Sequence, residues 1–120
     1  MNKNEKKLIL RFEDAGIKDV ALVGGKNAAL GEMFGKLRKM GIAVPDGFAL
    51  TASAYRFFLK DSGLDKKIEE ILKGLNTKNI ENLRSRGRAV RSAILAADLP
   101  KEIFSEVKRN YQFFERRYGK

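Results

Sequence analysis

The sequence contains no cysteine and no histidine among its 120 residues. Its own residues therefore cannot form a disulfide, a thiolate nucleophile, a Cys/His zinc site or a Ser-His-Asp triad. Any catalysis would have to use carboxylates, lysine, arginine or hydroxyls. Any bound metal would have to be a hard, oxygen-liganded ion such as Mg²⁺. No apolar run approaches the ~20 residues of a membrane span, and no signal-type apolar block follows the basic N-terminus, so we expect a cytoplasmic protein without membrane contact.

Acidic residues are the minority, with 15 Asp and Glu against 25 Lys and Arg and a net charge of +10. The excess is evenly spread, because residues 1–60 carry 11 basic and 6 acidic residues and residues 61–120 carry 14 and 9. The densest basic cluster consists of Arg84, Arg86, Arg88 and Arg91. No aromatic residue interleaves with it, which argues against stacking on single-stranded nucleic acid. We interpret the cluster as a solvated helix face or a contact surface within a larger protein, and nucleic acid is not an expected partner.

Hydrophobic periodicity predicts an α+β fold that is mostly helical, with a small sheet of short strands. Strands are predicted at Lys7–Phe12 and at Phe48–Leu50, the second after the turn sequence Pro45-Asp46-Gly47. The character of Ile17–Val23, helical turn or short strand, stays open. Helices are predicted at Asn27–Met40, after a Thr51 cap and around Ile68–Leu75. A capped break at Asn76-Thr77 precedes a further helix from Ile80 to about Ala97, and the last helix begins at Pro100.

Two positions in the Asn27–Met40 helix carry specific expectations. Gly31 and Gly35 lie one turn apart, and each costs up to ~1 kcal/mol relative to alanine, so we expect a close backbone contact on that face. Glu32 lies between them and is interpreted as a structural residue. The last helix carries the longest apolar stripe in the chain, formed by Ile103, Phe104, Val107, Tyr111, Phe114 and Tyr118.

The candidate phosphate-binding loop is Gly24-Gly25-Lys26, at the start of an apolar-periodic segment. Glycines let backbone N–H groups approach an anion, and a helix start adds unsatisfied donors and a partial positive charge. The loop is not a Walker A motif, because Val20 stands where that motif has its first glycine and Asn27 follows the lysine. Taken alone, the tripeptide is frequent in proteins and favours a plain loop before a helix, with an exposed lysine.

The run from Val23 to Met33, followed by the run from Val44 to Leu59, resembles the start of the ATP-binding domain of the PEP/pyruvate dikinase family. Leu99-Pro100 and Tyr111 fit a weaker pattern of the same family, so the resemblance covers roughly residues 8–118. The Ala89–Ser92 segment echoes a later nucleotide-binding segment of the family, but it precedes the Tyr111 helix instead of following it. Arg91 is therefore not taken as a nucleotide ligand.

The resemblance implies that residues 1–120 are a single, incomplete N-terminal subdomain of ATP-grasp type. It implies that Lys26 contacts ATP phosphates and that Gly24 and Gly25 let the loop lie against the nucleotide. The parent enzyme would convert ATP, pyruvate and water to AMP, phosphoenolpyruvate and phosphate. Mg²⁺ would be held mostly by residues outside this chain, and pyruvate would bind only to other domains. The chain alone is expected to be inactive.

The short strands also suggest self-association. A subdomain removed from a larger unit exposes strand edges, which pair readily with other chains. We expect the strands at Lys7–Phe12 and Phe48–Leu50 to pair with each other and, at high concentration, to support a homodimer. An alternative to the phosphotransferase interpretation is a free-standing basic helical module that binds nucleic acid or a protein partner.

Overall fold

A computed structural model describes residues 6–119, and the elements formed by these residues confirm the α+β prediction. The elements are β1 (Ile9–Arg11), α1 (Val20–Lys39), β2 (Phe48–Leu50), α2 (Ala52–Asp61), α3 (Leu64–Leu72), α4 (Ile80–Ala96) and α5 (Lys101–Tyr118), with 3-10 turns at Phe12–Asp14 and Ile17–Asp19. The chain divides into two compact units. The first comprises the residues up to Arg56 together with those from Lys101 onward, and the second is Phe57–Pro100.

The sheet of the first unit is an antiparallel pair of the two predicted strands. The register pairs Ile9 with Leu50, Leu10 with Ala49 and Arg11 with Phe48. The Phe12 N–H donates to the Gly47 carbonyl at 3.0 Å, and the Thr51 N–H donates to the Leu8 carbonyl at 3.0 Å. These two bonds extend the pairing by one residue beyond each end of β2.

The core of the first unit forms where β1, β2 and α1 meet. Its buried cluster contains Leu10, Leu22, Val23, Ala28 and Ala49, with Ala15 packed against it. Small residues on α1 and β2 bring the helix close to the strands. Three members of this cluster, Leu22, Val23 and Ala28, flank the glycine-lysine segment and fix both of its ends.

Thr51 caps α2, as the sequence predicted. Its Oγ1 accepts a hydrogen bond from the Ala54 N–H at 3.1 Å and donates one to the Lys7 carbonyl at 2.6 Å. The residue is buried, and it therefore joins the start of α2 to the chain that enters β1.

The two glycines of α1 differ in their surroundings. A Cβ at Gly31 would lie 2.6 Å from the Ala15 carbonyl oxygen, whereas nothing lies within 4 Å of a Cβ at Gly35. The expected close backbone contact is thus confirmed at Gly31 and wrong at Gly35. Gly31 lets α1 approach the turn around Ala15.

Helix α5 packs within the first unit through aromatic rings and long-range polar contacts. Phe114 stacks between Phe48 and Tyr118, with ring centroids 5.6 Å and 6.0 Å apart. The Tyr118 hydroxyl donates to Asp46 Oδ2 at 2.5 Å, and this bond raises the pKa of Tyr118. Beyond this stack, the predicted apolar stripe is only partly covered, because Phe104 and Tyr111 are exposed.

Asn110 is a buried polar residue on α5 that the sequence analysis did not identify. Its Oδ1 accepts a hydrogen bond from Arg11 Nε at 2.8 Å, and the same guanidinium lies 3.6 Å from the centre of the Phe113 ring. A polar side chain on the inner face of a helix needs such a partner. The contact fixes α5 against β1.

The second unit contains α3 and α4, which pack against each other. Leu64 and Ala93 are buried within it. The cap of α4 is Asn79, whose side chain accepts from the Asn82 N–H at 3.1 Å, and the cap therefore lies beyond the predicted Asn76-Thr77 break. None of the helices within residues 6–119 has the length and apolar character needed to cross a membrane.

Candidate phosphate-binding loop

Gly24 interrupts α1 four residues after its start. Its backbone dihedrals are φ 83° and ψ 164°, a region of conformational space that is essentially restricted to glycine. A residue in this conformation takes the chain off the helical path, and a second helical segment then runs from Gly25 to Lys39. The N–H groups in the first turn of that segment have no partners inside it. The sequence predicted a helix from Asn27 and did not distinguish a helical turn from a strand at Ile17–Val23. It did not predict the helical turn that precedes Gly24.

Lys26 is exposed in the first turn after the break. Within residues 6–119, no carboxylate lies within ion-pair distance of its ammonium group. Gly24 and Gly25 are exposed as well, while Val23 and Ala28 on either side are buried. The structure therefore brings the three predicted site residues together as a short exposed segment between two buried anchors.

Asn27 contributes a contact that the sequence analysis missed. Its Nδ2 donates to the Val23 carbonyl at 3.0 Å, so the side chain spans the break at Gly24. The available signal was an asparagine directly after the lysine, because asparagine side chains form hydrogen bonds with nearby backbone groups.

Two carboxylates hold the chain that leads into α1. The Gly16 N–H donates to Asp19 Oδ2 at 2.9 Å, and Asp19 is buried. Glu32 accepts from the Ile17 N–H at 2.9 Å and pairs with Lys36 at 3.1 Å. The hydrogen bond from Ile17, followed by the interactions with Lys36, lowers the pKa of Glu32. Glu32 thus makes the structural contacts that were expected, whereas Asp19 was not identified from the sequence.

Gly24 and Gly25 provide a matched pair of substitutions. Space is open around a Cβ at either position, so any difference between Gly24→Ala and Gly25→Ala comes from backbone conformation. We expect Gly24→Ala to lower the free energy of unfolding by at least about 1 kcal/mol, because alanine disfavours this φ and ψ. Gly25→Ala is expected to leave stability unchanged or slightly raised.

Urea titration followed by tyrosine fluorescence measures this difference in the first unit. All three tyrosines of the chain, Tyr55, Tyr111 and Tyr118, belong to that unit. Equal stability of the two variants would show that Gly24 does not need its positive φ.

The first unit also contains a separate groove of about 600 Å³. Pro45, Asp46, Tyr111, Phe114 and Tyr118 are among its lining residues. Lys26 is not among them, so this groove is distinct from the glycine-lysine loop.

The exposed glycine-lysine segment at a helix start is typical of the class of proteins that bind phosphate groups. Comparison with known proteins identifies the family. The family described as "Pyruvate phosphate dikinase, AMP/ATP-binding domain" matches residues 20–120. The matched region contains the whole of the loop and α1.

Three individual relatives are all phosphoenolpyruvate synthases. The chain is 42% identical over 115 residues to phosphoenolpyruvate synthase of Synechocystis sp., 38% over 113 residues to that of Aquifex aeolicus, and 36% over 110 residues to that of Escherichia coli. These alignments cover 96%, 94% and 92% of the chain, but only 14%, 13% and 14% of the relatives.

The chain belongs to the pyruvate phosphate dikinase AMP/ATP-binding domain family. The predicted family is thereby confirmed, and a family of AMP/ATP-binding domains supports the predicted nucleotide. The alternative of a free-standing basic binding module receives no support.

Proposed function

We propose that the chain supplies part of the ATP-phosphate site of an enzyme that converts ATP, pyruvate and water to AMP, phosphoenolpyruvate and phosphate. Membership of an AMP/ATP-binding family supports the nucleotide, and the relatives' name, phosphoenolpyruvate synthase, supports the reaction. The observation that carries the assignment of the site is the exposed, unpaired Lys26 directly after the break at Gly24, within the part of the chain described by the structure.

The loop residues have distinct roles in this proposal. The Lys26 ammonium binds a phosphate oxygen as a mobile point charge, which suits phosphoryl transfer. Gly24 makes the turn, and the missing side chain of Gly25 lets the backbone approach the nucleotide. The helical segment that begins at Gly25 directs its positive end toward the same anion.

Mg²⁺ is proposed as the accompanying ion, held mostly by residues outside this chain. The described residues contain no group of three carboxylates arranged to hold a metal. The pyruvate site is proposed to lie in other domains of the enzyme. We further infer that residues 1–120 act as one N-terminal subdomain of ATP-grasp type in a cytoplasmic enzyme.

The direct test is product formation by the full-length protein that contains this sequence. Incubation with ATP and pyruvate is expected to yield AMP, phosphoenolpyruvate and phosphate in equal amounts, with no AMP formed beyond the amount of enzyme when pyruvate is omitted. Formation of ADP instead of AMP would contradict the proposed reaction. Residues 1–120 alone are expected to form none of these products, because the closed, water-excluded site is incomplete.

The exposed strand edges lead us to propose a weak homodimer of this chain at high concentration. The described sheet has two strands, so each strand has one edge without a partner in that sheet. Unpaired edges are templates for association. Sedimentation velocity over a wide concentration range is expected to show a shift from monomer to dimer, and a constant monomer would contradict the proposal.

A further inference from the structure

The structure assigns a role to Asn27: we propose that it is a positioning residue that holds the Gly24–Lys26 segment in its phosphate-binding conformation. This inference rests on the proposed function of Lys26. It extends that function, because Asn27 acts through the loop and need not touch the nucleotide.

The first argument is the position of the hydrogen bond. The break at Gly24, the residue with non-helical φ and ψ inside α1, takes the chain off the helical path directly after Val23. The Asn27 side chain reaches back across the break and donates to the Val23 carbonyl at 3.0 Å. One side chain therefore joins the last residue before the exposed segment to the first residue after it.

The second argument is the difference in burial along the segment. Val23 and Ala28 are 8% and 0% exposed, whereas the three residues from Gly24 to Lys26 are all exposed. Packing can fix the two ends but not the exposed residues themselves. The half-buried Asn27 amide is the side-chain contact that connects both ends of this segment.

The third argument concerns the direction of Lys26. A lysine side chain is flexible, so its usefulness in binding depends on a fixed backbone beneath it. If the Val23–Asn27 bond is removed, the segment gains alternative conformations in which Lys26 points elsewhere. Only the fraction of molecules with the correct loop then binds at full affinity, which weakens the observed binding.

The test uses Asn27→Ala and Asn27→Asp in the full-length protein. Alanine removes the side-chain amide, and aspartate keeps its shape but replaces the N–H donor with an acceptor. Hydrogen–deuterium exchange without ATP is expected to show faster exchange in the peptide that spans Gly24–Lys26 for both variants. Unchanged exchange would overturn the proposal, and this readout does not depend on nucleotide binding.

ATP affinity provides the second readout. Asn27→Ala is expected to weaken ATP binding about fivefold, which corresponds to the loss of one neutral hydrogen bond. In a Lys26→Ala background, the same change is expected to have a smaller effect, because the Lys26 contact that depends on the loop is already lost. An undiminished effect in that background would overturn the positioning role.

Asn79→Ala is the matched control. It removes another asparagine side chain with a local backbone bond, but in the second unit, at the cap of α4. It is expected to change neither exchange at Gly24–Lys26 nor ATP affinity. If Lys26→Ala itself left ATP affinity unchanged, the proposed function would fail, whereas the exchange experiment would still decide whether Asn27 orders the loop.

Discussion

Replacing Lys26 with alanine is expected to weaken ATP binding by the full-length protein by roughly 10- to 150-fold, the range that corresponds to one charge-assisted phosphate contact of about 1.5–3 kcal/mol. The wild-type side chain is exposed and has no ion-pair partner among residues 6–119. Its removal should therefore leave stability nearly unchanged. Isothermal titration calorimetry with ATP measures the loss.

Lys36→Ala is the control for this experiment. Lys36 lies on the same helix and pairs with Glu32 at 3.1 Å on the surface. Its removal should have little effect on stability because the ion pair is exposed to solvent, and we expect no change in ATP affinity. Wild-type affinity in Lys26→Ala, or equal losses in the two variants, would remove Lys26 from the site.

Replacing Gly31 with alanine is expected to lower the free energy of unfolding of the first unit by about 1–3 kcal/mol. The new Cβ would lie 2.6 Å from the Ala15 carbonyl oxygen and 2.8 Å from the Ala15 Cβ. The Ala15 carbonyl belongs to the backbone, so α1 or the turn has to move. Urea unfolding monitored by tyrosine fluorescence reports the change.

Gly35→Ala is the matched substitution one turn later. Nothing lies within 4 Å of its Cβ, so alanine is expected to stabilise α1 by up to about 1 kcal/mol through helix propensity alone. The two variants should therefore move the urea midpoint in opposite directions. A Gly31→Ala protein as stable as Gly35→Ala would show that the close approach to Ala15 is not required.

Features governed by local chemistry were predictable from the sequence. The strand at Phe48–Leu50 and the Thr51 cap depend on residues adjacent in the chain. The family and the exposed loop followed from two motifs in a fixed order. These predictions needed no knowledge of distant contacts.

Features governed by tertiary contacts were not predictable in the same way. Gly31 and Gly35 look alike in the sequence, and only the position of Ala15 distinguishes them. The bond between Arg11 and Asn110 joins residues 99 positions apart. The apolar character of Ile17–Val23 was compatible with strand and helix, so the helical turn before Gly24 could not be inferred from periodicity.

Contacts between α5 and the N-terminal part of the chain have a consequence for biosynthesis. The Arg117 guanidinium meets Glu13 at 3.5 Å, a contact between residues 104 positions apart, and Tyr118 bonds with Asp46. Phe57–Pro100, by contrast, is continuous in sequence. During translation the continuous unit can fold as soon as it leaves the ribosome, while the first unit must wait until α5 has emerged. Until then the Phe48 ring lacks its stacking partner Phe114, so part of the apolar surface of the first unit stays exposed during this interval.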